Sequence, residues 1–256
     1  DRSYLTLALR GAHNKNKVLK ISDSMKAYNE RMDKEMLEGG KPVIKYYDGV
    51  SMNAIWAVPS LGIDPATGRE IYRKKDGRST FTYDVNDMVI CGDNLPKLNG
   101  SFSINLGYKG LGFNMTCIYE LGAKMFNQTL IDRVENVDMH YNVDRRVLEG
   151  RWQNPGDVVR FRSLKSYWDP ETQTYPRDVQ TKATSRFVQK KNELNISSIN
   201  ISYDFYRYAF VKQIGLERLS LAFYMNDVAK LSTIKTERGL AYPFARNYNF
   251  SLQMTF

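Results

Sequence analysis

Cysteine, histidine and long apolar runs are all scarce in this sequence, and each scarcity removes a class of function. Two cysteines, Cys91 and Cys117, cannot build a disulfide framework. His13 and His140 lie remote from both in sequence, so the four clustered ligands of a zinc site are missing. Neither histidine keeps a fixed spacing to Cys, Ser or acidic residues that would pair a nucleophile with a base. No enzyme chemistry, cofactor site or metal site is expected. No apolar run exceeds five residues, as in Ala54–Val58, far short of the ~20 that a membrane helix needs. Nor do five like charges ever stand together. The 37 Lys and Arg are mixed with 28 Asp and Glu, so the net charge of +9 is spread out and makes no nucleic-acid patch. The chain opens at Asp1 without initiator Met, signal peptide or lipidation Cys, and reads as a piece of something larger.

What the sequence has is aromatics, 17 Tyr and 12 Phe, set in strict alternation. In the last eleven residues Tyr248, Phe250, Leu252, Met254 and Phe256 alternate with Asn247, Asn249, Ser251, Gln253 and Thr255. A two-residue period puts one set on each face of a strand. The run has about the ~9–11 residues that a tilted strand needs to cross a bilayer, and it stops on an aromatic. The negative mean hydropathy is no objection, because half of every barrel strand is polar.

The same period predicts strands at Tyr4–Ala12, roughly Val43–Val58, Leu98–Tyr108, Leu111–Leu121, Leu194–Phe205 and Leu216–Asp227, seven with the terminal one. Their polar faces are mostly Ser, Thr, Asn, Gly and Gln, residues that fit a barrel interior better than an open, water-facing sheet. The fifth strand changes parity part way, and a β-bulge near Ser197–Ser198 is expected to restore its facing. One helix is predicted, capped by Ser22 or Asp23, carrying Met25, Tyr28, Met32 and Met36 at helical spacing and stopped by Gly39–Gly40. Lys109–Gly110 marks a tight hairpin turn, which sets Cys117 opposite residue 102. That register keeps Cys91 and Cys117 too far apart to bond and turns Cys117 outward. By contrast, 122–193 and 60–97 are long excursions. Short turns at one end and long loops at the other are the habit of outer-membrane barrels. With Phe256 at the periplasmic edge, the Lys109–Gly110 turn falls on the short-turn side. Seven strands cannot close such a barrel, and an open edge in lipid leaves backbone groups unpaired. The remaining strands must come from elsewhere.

A series of landmarks then becomes recognisable: Tyr46–Gly49, Gly62–Gly68, Gly92–Lys97, Gly107–Gly110, Gly150–Asp157, Tyr224–Asp227 and Tyr242–Arg246. Their order, ending in a terminal aromatic strand, resembles the C-terminal part of the barrel of the SusC/RagA family of TonB-linked outer-membrane proteins of Bacteroidetes. The resemblance implies an all-β transmembrane antiparallel barrel fragment, residues 1–256, about seven of 22 strands, with long extracellular loops and no plug. It implies as partners an N-terminal barrel and plug, a SusD-like surface lipoprotein, TonB, outer-membrane lipid, and an oligosaccharide or peptide to be imported. Relatives carry an Asp-rich turn before the Gly92–Lys97 segment; here Tyr83–Met88 lacks the Gly and terminal Glu of a calcium loop.

Trp152, Tyr167, Trp168 and Tyr175 in the long outer loop are the candidate substrate contacts, since flat aromatics stack on sugars and line peptide grooves. Packing of the loop is the plainer role for each. Tyr108, Tyr248 and Phe256 are expected in the membrane's aromatic girdle. The alternatives are a passive porin-like or structural barrel and a soluble β-rich binding module.

Overall fold

The computed structural model describes residues 3–39, 42–137, 144–164, 181–235 and 246–256, apart from the side chains of 36–39. Its strands are β1 Tyr4–Ala12, β2 Ala54–Ala57, β3 Ser60–Ile63, β4 Glu70–Arg73, β5 Ser79–Thr80, β6 Val89–Asp93, β7 Leu98–Tyr108, β8 Leu111–Phe126, β9 Val188–Asp204, β10 Arg218–Ser232 and β11 Tyr248–Thr255. The chain divides into two compact units, one of Asp1–Asn14, Pro96–Ala123 and Lys191–Phe256, the other of Lys15–Leu95 and Lys124–Lys190.

The first unit is built on an antiparallel sheet of six strands in the order β1-β7-β8-β9-β10-β11. Register makes each face continuous within β1-β7-β8 and within β9-β10-β11, and Gly112 of β8 lying against Ser202 of β9 joins the two halves. Leu5, Leu7 and Leu9 pair with Leu106, Ile104 and Phe102. These pair in turn with Phe113, Met115 and Cys117, so Cys117 stands opposite Phe102 as the hairpin predicted. Across the other strands Leu219, Leu221, Phe223 and Met225 pair with Met254, Leu252, Phe250 and Tyr248, and Leu221, Phe223 and Met225 with Tyr203, Ile201 and Ile199. Paired residues share a face. The opposite face carries Thr6, Asn105 and Asn114, then Asn200, Ser202, Asn249, Ser251 and Gln253.

Two expectations need correction. The second predicted strand does not join this sheet, which leaves six of the seven. Only Ala54–Ala57 of 43–58 is strand, paired with β6 in the second unit. Ala54, Ala57 and Val58 are buried there, so the alternation served a core with packing on both sides. Turns hold the residues before it: Gly49 N–H donates to the Val18 carbonyl and Val18 N–H to that of Val50. A bulge does interrupt the pairing at Ser197–Ser198, but its extra residue belongs to the neighbouring strand. β9 gains no residue; β10 does, where Asp227 and Val228 face Ser197 and Asp227 adopts φ 49.

In the second unit, helix α1 spans Asp23–Gly39. Ser22 Oγ accepts from Met25 N–H, and Met32 is buried; Met36 lies outside the described side chains. Asn29 locks the helix by exchanging two hydrogen bonds with the Tyr46 backbone, and Lys45, almost buried, binds Asp33 at 2.5 Å. Two small cores form, one of Val58, Val85, Met88 and Ala183, the other of Leu130, Ile131, Val134, Phe161 and Phe187. The Tyr83–Met88 stretch serves the first: Val85 and Met88 are buried, while Asp84 caps the turn by accepting from Asn86 N–H. The excursions predicted as loops thus contain strands β3 to β6 and a π-helical turn at Ile131–Glu135.

Candidate functional site

The apolar face of the six-stranded sheet is its most distinctive surface. Leu5, Leu7 and Leu9 are 61%, 60% and 74% exposed, Phe250 75%. Such a run of large apolar side chains is not left in water by a soluble domain. The band has an upper limit. Past the β10 bulge, Lys230 pairs with Asn195 and forms an ion pair with Glu193 at 2.8 Å, and Lys191 binds Glu120 at 2.7 Å. Charged pairs gather at that level, where the clean apolar alternation of the lower strands ends. From Tyr248 to Phe256 is eight steps, about 27 Å along the strand at ~3.4 Å each; at the ~35–45° tilt of barrel strands this rises about 20 Å, most of the ~25 Å apolar band of an outer-membrane barrel.

The expected girdle residues lie on this face. Tyr248 stacks on Phe223 with centroids 6.3 Å apart, and Phe223 meets Phe250 at 5.2 Å. Tyr108 pairs with Leu111 beside the Lys109–Gly110 turn, and Phe256 follows Met254 in the alternation, almost fully exposed.

Higher on the same face, Tyr119 reaches across two strands. Its hydroxyl donates to the Arg10 carbonyl of β1 at 2.8 Å, passing over Gly100 of β7 and beside Gly11. Glycine is required at position 100, because a methyl there would meet Tyr119 Oη at 2.6 Å and the Arg10 oxygen at 2.0 Å.

In the second unit, two of the sequence landmarks meet. The Gly62–Gly68 turn is held by Asp64, which accepts from Ala66 N–H and from Thr67 Oγ1. The Gly150–Asp157 turn is held by Asp157, which accepts from Gln153 and Asn154 N–H. These two N–H donors keep the Asp157 carboxyl below its ordinary pKa. Trp152 joins the turns: Nε1 donates to the Pro65 carbonyl at 2.8 Å, and its ring occupies the space beside Gly68 that a Cβ would fill. Tyr167, Trp168 and Tyr175 lie outside the described residues.

Beneath these turns is an ionic centre that sequence reading missed. Arg186 binds Glu70 through Nε and Nη2 at 3.1 and 2.8 Å, and Glu135 through Nη1. Thr184 Oγ1 donates to Glu70 at 2.8 Å, and Arg162 Nε stands 3.5 Å from Glu135 Oε2. Arg186, Glu70 and Glu135 side chains are 8%, 4% and 0% exposed. Burial pulls the Arg186 guanidinium down, but the two carboxylates outweigh it and hold it above its ordinary value. Arg151, also buried, donates to the carbonyls of Val134, Val147 and Arg162. The partners of Arg186 are 116 and 51 positions away, separations that no local pattern signals. The arrangement ties loops together; it offers no nucleophile or open metal position, and among the described residues no His/Cys/Asp/Glu group could hold a metal.

No family model matches the chain. It is similar to TonB-dependent receptor P39 of Formosa agariphila, 26% identical over 157 residues, which is 60% of this chain and 14% of that protein. In fold it is similar to the RagAB peptide importer in the open-open state, with a TM-score of 0.68 and 14% identity over 98% of this chain and 26% of that one. The closed-closed state of the same importer gives 0.59 and 17% identity, with 82% of this chain and 24% of that one covered. The chain thus spans about a quarter or less of these relatives. Its antiparallel sheet is of their barrel type, and a relative bearing a receptor's name offers no enzyme activity to transfer.

Proposed function

We propose that this chain, SusC/RagA-like in its landmarks and RagAB-like in fold, forms part of the wall and outer loops of a TonB-dependent importer of the outer membrane. One observation carries the reading: a single face of six strands presents hydrocarbon to the outside, with small polar residues behind it. Water does not tolerate such a face, whereas lipid requires it. The free edges of β1 and β11 take further strands of the same barrel, so residues 1–256 act as its C-terminal portion, a multi-pass segment without the plug. The second unit supplies extracellular loops, stiffened by Trp152 and the Arg186 centre, beneath a SusD-like lipoprotein lid. Trp152, Tyr167, Trp168 and Tyr175 are the proposed substrate-facing aromatics. Peptides are the first substrate class to try, because the structural neighbours are peptide importers; oligosaccharides are the second.

The test is uptake by a strain deleted for the full-length gene, challenged with peptide and glycan panels with and without a functional TonB. Loss of uptake of one class, restored by the full-length protein only when TonB works, is the expected result. Uptake that persists without TonB would favour a passive porin.

A further inference from the structure

The connection between β9 and β10 is out of proportion to its neighbour at the same end of the sheet. There β7 and β8 meet in the two-residue turn Lys109–Gly110, whereas 205–217 build a small structure of their own. Val211 and Leu216 are buried in it, Ala209–Gln213 forms a helical turn, and Gly215 closes it at φ 79. With that core satisfied, Tyr208, Phe210 and Ile214 are still 49%, 42% and 60% exposed.

Two of these side chains, Tyr208 and Phe210, cluster with the half-buried Tyr203 and Phe205. Phe205 lies 4.9 Å from Tyr203, 6.0 Å from Tyr208 and 6.1 Å from Phe210, and the Tyr203 and Tyr208 hydroxyls are 3.1 Å apart. Tyr203 pairs with Leu221, and Leu221 with Leu252, so the cluster continues the lipid-facing band. A lysine stands in each of the two connections: Lys212 in the helical turn, and Lys109 in the neighbouring turn, its Nζ 5.1 Å over the Tyr108 ring.

We propose that this turn is a headgroup site for an anionic phospholipid of the periplasmic leaflet. The rings of Tyr203, Phe205, Tyr208 and Phe210 lie among the glycerol esters, and Lys109 and Lys212 take the phosphate. The inference rests on the membrane reading above. Amphipathic rings settle where hydrocarbon gives way to water, and an ammonium group beside them is attracted to phosphate. Continuity with the apolar band selects lipid over a soluble protein as the occupant.

The test uses the full-length protein in detergent, titrated with phosphatidylglycerol or phosphatidylethanolamine, with retained lipid measured by native mass spectrometry. Phosphatidylglycerol should be preferred. Lys109→Gln and Lys212→Gln should each weaken its retention about fivefold, the effect of one basic residue at an anionic surface. Lys230→Gln, at the other end of β10, should leave it unchanged. Equal retention of the two lipids, or no loss in the variants, overturns the proposal. So does a co-purifying protein released by Phe210→Ala while lipid retention is unaffected. Heat-modifiable migration after reconstitution into phosphatidylethanolamine vesicles tests the membrane reading separately: a protein that inserts but shows no lipid preference refutes only the headgroup site.

Discussion

The Tyr119 ring crosses Gly100, and its hydroxyl reaches the backbone of the next strand at Arg10. Glycine removes the side chain that would otherwise separate the strands, and tyrosine covers the exposed backbone. Gly100→Ala should therefore cost about 1–3 kcal/mol, as overpacking does, and loosen the β1–β7 pairing. Tyr119→Phe keeps the cover and should cost only about 1 kcal/mol for one hydrogen bond. Urea unfolding of the full-length protein in micelles would rank the two; equal effects would contradict the glycine argument.

Removing Arg186 alone should do more damage than removing it together with both its carboxylate partners. Arg186→Leu strands Glu70 and Glu135 as buried charges, at a cost of about 3–5 kcal/mol. Arg186→Leu combined with Glu70→Leu and Glu135→Leu should recover much of that loss. Hydrogen exchange over 181–190 reads the effect; a triple variant worse than the single one would show that the ions themselves hold these loops.

Trp152→Phe keeps a ring beside Gly68 and loses the bond to Pro65. Exchange protection of 62–68 should fall by about 1 kcal/mol with uptake little changed. Lost uptake with unaltered protection would show that the indole N–H serves the substrate and not the Pro65 turn.

Asp157 gives that turn a pH dependence whose sign is fixed. Its folded pKa lies below the ordinary ~3.9 because Asn154 and Gln153 N–H groups bond the carboxylate. Stabilisation is then fully present above the ordinary value and is lost as pH falls through the lowered one. Exchange protection of 150–157, corrected for intrinsic rates, should hold at neutral pH, drop only in acid, and be low at both in Asp157→Asn. A wild-type turn indifferent to acid would remove the carboxylate from its role.

The apolar-faced sheet was legible because its pattern is local. β1 and β7 have the ends that alternation predicts, and the Lys109–Gly110 hairpin sets Cys117 against Phe102. The upper parts of β8, β9 and β10 were not legible: Lys124, Lys190, Lys191 and Lys230 interrupt the apolar period there. Val43–Val58 misled for the opposite reason, since a core packed on both sides needs no polar face. The landmarks themselves are joints: Pro65 and Gly68 matter because Trp152 docks there, a contact across 87 positions. The ionic centre depends wholly on such long-range meetings.

The central claim is that one face of β11 and its neighbours touches lipid. Spin labels placed singly at 248–255 in the full-length protein in bilayers, with oxygen and a water-soluble nickel chelate as relaxants, test it most directly. Oxygen accessibility should peak at 248, 250, 252 and 254 and dip at 249, 251, 253 and 255. Uniform accessibility to the nickel chelate along the strand, without a two-residue period, would contradict the account.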